Sequence, residues 1–366
     1  MWTLAGWNLT MGWIMGTNTI IIILGTPRSG TSVITRALPV MGVKLGNELV
    51  APSVNNPTGF WEDIRVQQIN VQLLQLAGRH IEWPVLAAAK IALSPHYSAI
   101  KRQAIELLKQ RLQCNPIWAF KDPRASRLLF FWQDVFQEIG CVDRYVLALR
   151  DPISVAESLM LSSGLRRSTG LALWLECTVR VVQDTRHRPL VVVAYERMMD
   201  NPGAEILRMA GGLDLEESLL PDEFDYYTGH FISPELMHIK HHTDNPAEHV
   251  RELPLIHDVY TLLYRLASDA VTGDEFGGSW SALYTRFEHE FPEFVAANKW
   301  LETPKTIAIP NAQRIYCRLR AHGISEIRRL SHRVLEKSME TLTSGKSSPF
   351  TDEKQRNQQE KATFHL

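Results

Sequence analysis

Cysteine is scarce in this chain: four in 366 residues, at Cys114, Cys141, Cys177 and Cys317. No two of them are spaced as C-x-x-C, the pairing expected of a zinc site or a dithiol redox centre. So sparse a set fits a reducing compartment better than a disulfide-stapled secreted module, and a cytoplasmic location is the expectation. Long apolar runs are missing as well, since no stretch approaches the roughly 18 to 20 residues that span a bilayer. Nor is either charge in excess. With 39 Lys+Arg against 40 Asp+Glu the formal net charge is −1, which argues against broad adhesion to nucleic acid or to an acidic membrane. Any anion bound here must be held by a local arrangement of groups.

The N-terminus also lacks the basic stretch and small-residue cleavage site of a signal peptide. MWTLAGWNLTMGWIMG carries three tryptophans instead, and two readings stay open. Either translation starts at Met11 or Met15, or the segment makes a peripheral membrane contact without the usual basic face.

What the chain does have is an ordinary globular composition, 45% apolar and 22% charged, with enough length to bury a sizeable core. Short β-branched runs alternate with helix-like stretches. The strands are expected at 19–24, 117–120, 144–149 and 190–195, and the helices at about 30–41, 61–78, 98–113, 126–139, 152–163 and 170–187. That alternation predicts an α/β fold, three layers with a central parallel sheet. Such sheets take ligands at the C-terminal ends of their strands, and Arg28, Lys121, Arg150 and Glu196 all follow strands at that end.

Beyond about residue 215 helices take over, at 251–270, 279–300 and 324–342. The second carries Trp280, Tyr284, Phe287, Phe291 and Phe294 at helical spacing, a core face first and a sugar-stacking platform second. Arg328, Arg329 and Arg333 on the third read as a solvated face. The organisation expected is an extension over 1–14, a catalytic domain over 15–270, a helical extension over 271–343 and a polar, disordered tail over 344–366.

The stretch GTPRSGTS (25–32) nearly spells the phosphate loop G-x-x-x-x-G-K-[S/T], but Thr31 stands where the lysine belongs. The loop's one cation is Arg28. A strand, a glycine turn and a helix start would still aim several backbone N–H groups at one oxyanion. Triphosphate chemistry also needs the lysine and a magnesium carboxylate after a strand, and neither is found. A nucleotide kinase or NTPase therefore stays as an alternative only.

P-R-S-G-T-S after a buried strand resembles the 5′-phosphosulfate loop of sulfotransferases that use 3′-phosphoadenosine 5′-phosphosulfate (PAPS). The strand RYVLAL running into Arg150-Asp151-Pro152, with Ser158 eight residues after the arginine, resembles the same family's 3′-phosphate element. Pro152 suits the first helical position and Asp151 the cap before it. KDPR (121–124), YERMMDNP (195–202) and NNPTGFWED (55–63) resemble further elements of bacterial, glycan-acting and tyrosyl-protein-like members, in the family's order, over roughly residues 20 to 250.

The resemblance implies the P-loop NTPase-like sulfotransferase fold and PAPS as co-substrate, with no metal required. It assigns Pro27, Arg28, Ser29, Gly30, Thr31 and Ser32 to the phosphosulfate, Arg150 and Ser158 to the 3′-phosphate, and Lys240 and His241 to a gate near it. It places Arg28 on the leaving phosphate and Lys121 on the sulfonate. Cytosolic relatives have a basic histidine two residues after that lysine, but here the position is Pro123. A carboxylate base is then implied, Glu62 first, with Trp61 drying it, and Glu48 or Asp63 in reserve. Asp122 is expected to orient Lys121 or Arg124. His238, His241 and His242 match no zinc signature and read as a polar loop. Ten tryptophans, Trp61 and Trp83 among them, suit stacking on sugar rings or the lining of a lipid or phenol pocket. The resemblance implies a carbohydrate or glycolipid acceptor, and an inactive PAPS-binding relative is the last alternative.

Overall fold

The computed structural model describes residues 18–53, 56–78, 88–233 and 253–292. All belong to one compact unit, Met1–Ile307, and the second unit, Ala308–Leu366, lies wholly outside them. Outside them too are the N-terminal extension, Trp83, the 238–242 histidine stretch with Lys240, Phe294, the 324–342 helix and the tail.

The described chain runs β1 (Thr19–Leu24), α1 (Thr31–Arg36), α2 (Ile64–Ala77), α3 (Ala88–Ala92), α4 (Tyr97–Cys114), β2 (Ile117–Lys121), α5 (Leu129–Ile139) and β3 (Val142–Leu149). It continues through α6 (Pro152–Ser163), α7 (Arg167–Asp184), β4 (Leu190–Ala194), α8 (Tyr195–Asp200), α9 (Pro202–Gly212) and α10 (Pro221–Tyr226). A π turn (Tyr227–Phe231), α11 (Pro254–Ala267) and α12 (Gly273–Glu290) complete it.

The four strands form one parallel sheet in the order β2-β1-β3-β4. Helices cover both faces, the three-layer α/β arrangement that the alternation of patterns implies. Successive residues of a strand point to opposite faces. Ile21, Ile23, Val146, Ala148, Val191 and Val193 therefore meet the apolar residues of α1 and α9 in one core cluster. On the other face Phe120 packs against Trp132 of α5, ring centroids 4.8 Å apart.

Helix ends depart from the sequence pattern where local chemistry intervenes. The 30–41 stretch splits after Arg36, and Leu38–Met41 tightens into a 3-10 turn around Pro39, which has no N–H to continue the α ladder. The 61–78 stretch starts only at Ile64, because the Asp63 carboxylate caps it by accepting from the N–H groups of Arg65 and Val66. Likewise 126–139 becomes a short 3-10 turn, Pro123–Arg127, followed by α5. The cap and first-position roles expected of Asp151 and Pro152 are both present in α6.

Trp280 and Phe287 are buried on α12, and the Trp280 indole donates to Gln183 at 3.3 Å. These two act as the core face of the aromatic stripe. Among the described residues, no helix is long and apolar enough to cross a membrane.

In a sheet of this order the chain leaves β1 toward β2 and leaves β3 in the other direction, toward β4. Between the carboxyl ends of β1 and β3 lies the crevice where open α/β sheets bind ligands. The loop 25–30 follows β1, and Arg150 follows β3.

Candidate functional site

The loop after β1 is held open by its own backbone. Gly25 sits at φ 148° with its Cα against Ala148 of β3, where a side chain would meet the Ala148 carbonyl at 2.9 Å. Its N–H donates to the Ser126 hydroxyl at 2.8 Å, and that hydroxyl donates back to the Gly25 carbonyl at 3.0 Å. Ser126, buried in the 3-10 turn Pro123–Arg127, thus clamps the start of the loop. Gly30 caps α1 at φ 80°, and any β-carbon there would collide with the Tyr195 ring.

Arg28 itself adopts a left-handed backbone, φ 74°, which is rare for a residue with a side chain. Its Nε donates to the Ser158 hydroxyl at 2.9 Å. Arg150, directly after β3, donates from Nη1 to the Arg28 carbonyl at 3.0 Å and lies over the Tyr195 ring, 4.4 Å from its centroid. The indole of Trp174 holds the Arg150 carbonyl at 3.1 Å. Burial, and then the neighbouring Arg150 charge, push the Arg28 guanidinium below its ordinary pKa. Two guanidiniums therefore converge on one loop.

The Ser29 and Thr26 hydroxyls flank Arg28, buried and without a hydrogen-bond partner among the described residues. An unsatisfied buried hydroxyl is costly, so these two fit a ligand with acceptor oxygens better than an apolar one. The donor set as a whole suits a phosphate or a sulfate.

A second cluster lies on the β2 side. Lys121, the last residue of β2, is buried and points its ammonium at the Glu62 carboxylate, 2.8 Å away. Burial draws the Lys121 pKa down and the Glu62 charge draws it back up. The other Glu62 oxygen accepts from Gln67 at 3.1 Å, with the Arg124 guanidinium at 3.9 Å. Ser32 joins the clusters: its hydroxyl accepts from Lys121 at 3.3 Å and from Asn56 at 3.4 Å. Asp122 holds Arg124 through both oxygens at 3.1 Å, the orienting role expected of it.

Of the residues singled out from sequence, the structure gathers Arg28, Ser29, Gly30, Thr31, Ser32, Lys121, Arg150, Ser158 and Glu62 around the ends of β1, β2 and β3, with Pro27 in the same loop. Lys240 lies outside the described residues. Asp63 is committed to capping α2 and to Arg111 at 2.7 Å, and Glu48 is exposed. The Trp61 ring packs against Arg36 and Phe231.

Sequence reasoning missed Ser126, Asn56 and the support that Tyr195 gives to Arg150. Ser126 is in contact with a residue 101 positions away, so no local pattern could signal it. Among the described residues, no group of three His, Cys, Asp or Glu side chains is placed to hold a metal ion.

No known family profile matches the chain, and no curated protein matches it. Among solved structures it is similar to the sulfotransferase domain of the Synechococcus PCC 7002 olefin synthase, at 18% identity and a TM-score of 0.39, over 63% of this chain and 86% of that one. It is also similar to the sulfotransferase domain from the curacin biosynthetic pathway, at 16% identity and a TM-score of 0.36, over 57% of this chain and 77% of that one. At those values the likeness extends to the outline of an α/β fold and no further.

Proposed function

We propose that this protein is a PAPS-dependent sulfotransferase that moves a sulfuryl group to an acceptor hydroxyl, on a carbohydrate or glycolipid. One observation carries the proposal: Arg28 and Arg150 converge on a loop whose buried Ser29 and Thr26 hydroxyls have no partner among the described residues. Like charges brought together under partial burial repel, and a polyanionic ligand turns that repulsion into binding.

PAPS supplies an activated sulfuryl group and a bisphosphate leaving group. Arg28 and the loop around it neutralise the 5′-phosphate on which charge develops as the sulfur–oxygen bond breaks. Arg150, preoriented by Tyr195 and by the Arg28 carbonyl, grips the 3′-phosphate together with the Ser158 hydroxyl. Ser158 accepts from Arg28 and keeps its own O–H to donate. Lys121 serves the sulfonate oxygens.

Glu62 takes the proton of the acceptor hydroxyl as its oxygen bonds to sulfur. A carboxylate has about four acceptor sites, so its bonds to Lys121 and Gln67 leave room for that hydroxyl. The resemblance adds Lys240 and His241 as a gate near the 3′-phosphate, and both lie outside the described residues. The catalytic domain spans 15–270.

Calorimetry with adenosine 3′,5′-bisphosphate tests the proposal. Binding in the micromolar range, unaffected by magnesium chelation and weakened at least about 100-fold in Arg150→Ala, is the expected result. A protein that binds ATP with magnesium but not the bisphosphate is instead a nucleotide-phosphate enzyme. Transfer of labelled sulfate from PAPS into fractions of a cell extract identifies the acceptor class.

A further inference from the structure

Trp61 stands one residue before the proposed base with a left-handed backbone, φ 59°. For so bulky a side chain this is a genuine outlier, and it persists only where the surroundings impose it. The surroundings are Arg36, the last residue of α1. Its guanidinium lies 5.5 Å from the Trp61 centroid, 5.3 Å from that of Tyr226 and 5.7 Å from that of Phe231. Trp61 and Phe231 meet edge to face at 6.4 Å.

One end of Arg36 is tied, Nη2 to Glu223 at 2.7 Å, while Nη1 is buried with no hydrogen-bond partner among the described residues. A guanidinium placed for hydrogen bonding would satisfy both ends; this one is placed for stacking. The π turn that brings Phe231 is itself fastened to α1, because the Tyr227 hydroxyl donates to the Val33 carbonyl at 2.9 Å.

Glu62 therefore sits between two anchors. After it, Asp63 is fixed by the α2 cap and by Arg111. Before it, the Phe60 carbonyl accepts from Ser32 at 3.3 Å and the Trp61 side chain is held through its ring, while the Glu62 carbonyl itself accepts from the Val50 N–H at 2.8 Å. Release of that ring would let the Trp61 backbone relax from φ 59° toward an ordinary conformation. With the Glu62 carbonyl still held by Val50, the change would fall on the direction of the Glu62 side chain, drawing its carboxylate off Lys121.

We infer that Arg36 is a positioning residue of the reaction: by clasping Trp61 in a left-handed conformation it aims the Glu62 carboxylate at Lys121 and at the acceptor hydroxyl. The inference rests on the sulfotransferase reading above. Arg36 touches neither substrate nor cofactor in this scheme, so its loss should lower the rate and spare affinity.

The test is a cycle of Arg36→Ala, Arg36→Lys, Trp61→Gly and Arg36→Ala with Trp61→Gly. It is read by labelled-sulfate transfer from PAPS into the glycan fraction of a cell extract, and by calorimetry with adenosine 3′,5′-bisphosphate. Displacement of a base by about an ångström costs on the order of 100-fold in rate, so Arg36→Ala should lose about 10- to 100-fold in kcat. The KM for PAPS and the bisphosphate Kd should stay within about two-fold, since Arg36 bonds to Glu223 and stacks on Trp61, Tyr226 and Phe231 rather than on Arg28, Arg150 or Ser158.

Glycine adopts positive φ without penalty, so adding Trp61→Gly to Arg36→Ala should recover several-fold of the lost rate. A packing role alone predicts the opposite, a double variant worse than either single one. Arg36→Lys keeps a partner for Glu223 but loses the planar stack; it should fold and still be slow, which covers the case of an unfolded alanine variant. Wild-type rates in Arg36→Lys, or a double variant as slow as Arg36→Ala, overturn the inference. A wild-type protein that fails to bind the bisphosphate overturns the sulfotransferase reading instead.

Discussion

At the β1/β3 end of the sheet two guanidiniums, Arg28 and Arg150, are drawn to one loop, and Arg28 makes no ion pair with any described carboxylate. At the β1/β2 end the cation Lys121 is matched at 2.8 Å by the Glu62 carboxylate, both side chains nearly sealed from water. A guanidinium without a carboxylate partner among the described residues, as Arg28 is, suits an anion from outside. In the proposed reaction the balanced pair serves the chemical step, since a buried pair holds its groups in fixed geometry. Ser32, hydrogen-bonded to Lys121 and located in the phosphate loop, is the link between the two. The difference teaches that affinity and turnover should respond to different mutations.

Glu62→Gln probes this most sharply. Loss of a general base removes about 10²- to 10⁴-fold of rate, while bisphosphate affinity should change by less than about two-fold. Stopped turnover with unaltered calorimetry upholds the division; a fully active Glu62→Gln protein moves the base to Glu48 or Asp63 and erases it.

Ser126→Ala acts on the other side. Its hydroxyl satisfies both the N–H and the carbonyl of Gly25, so its removal leaves two buried backbone groups unpaired. The expected cost is about 1–3 kcal/mol of stability, with a several-fold loss of bisphosphate affinity and little change in kcat at saturation. Urea unfolding and calorimetry measure the two, and a variant that loses rate but not affinity would merge the two regions into one.

The smallest effect is electrostatic. Glu196 accepts from the Asp151 N–H at 3.0 Å just behind Arg150, and burial raises its pKa above the ordinary 4.5, outweighing that hydrogen bond and the Arg150 charge. The native state thus holds this proton more tightly than the unfolded chain. The resulting stabilisation is full below about pH 4.5 and declines as pH rises toward the folded pKa. Urea midpoints of the wild type should therefore fall relative to Glu196→Gln between pH 4 and pH 7. A constant difference would mean that Arg150 fully neutralises Glu196, and with it part of the positive field at the β1/β3 end.

Much of this site was legible along the chain because its parts are local. Strand, glycine turn and helix start are adjacent in 19–36, and R-D-P supplies a terminal arginine, a cap and a first-turn proline within three residues. Helix starts were less legible. Trp61 and Glu62 carry helical periodicity but stand outside α2, because the Asp63 cap competes for the same backbone donors.

By itself, then, the sequence determined the alternating α/β order, the parallel sheet that such an order requires, and the cations at the strand ends. Those follow from side-chain periodicity and from the stiffness of β-branched and proline residues, which are properties of short segments. Only the tertiary structure decided that Arg150 would rest on Tyr195, that Ser126 would clamp Gly25 from 101 residues away, and that Arg36 would clasp Trp61 among three rings. Such pairings depend on which strands neighbour one another and on what each buried donor finds there, and neither is written in any window of the chain.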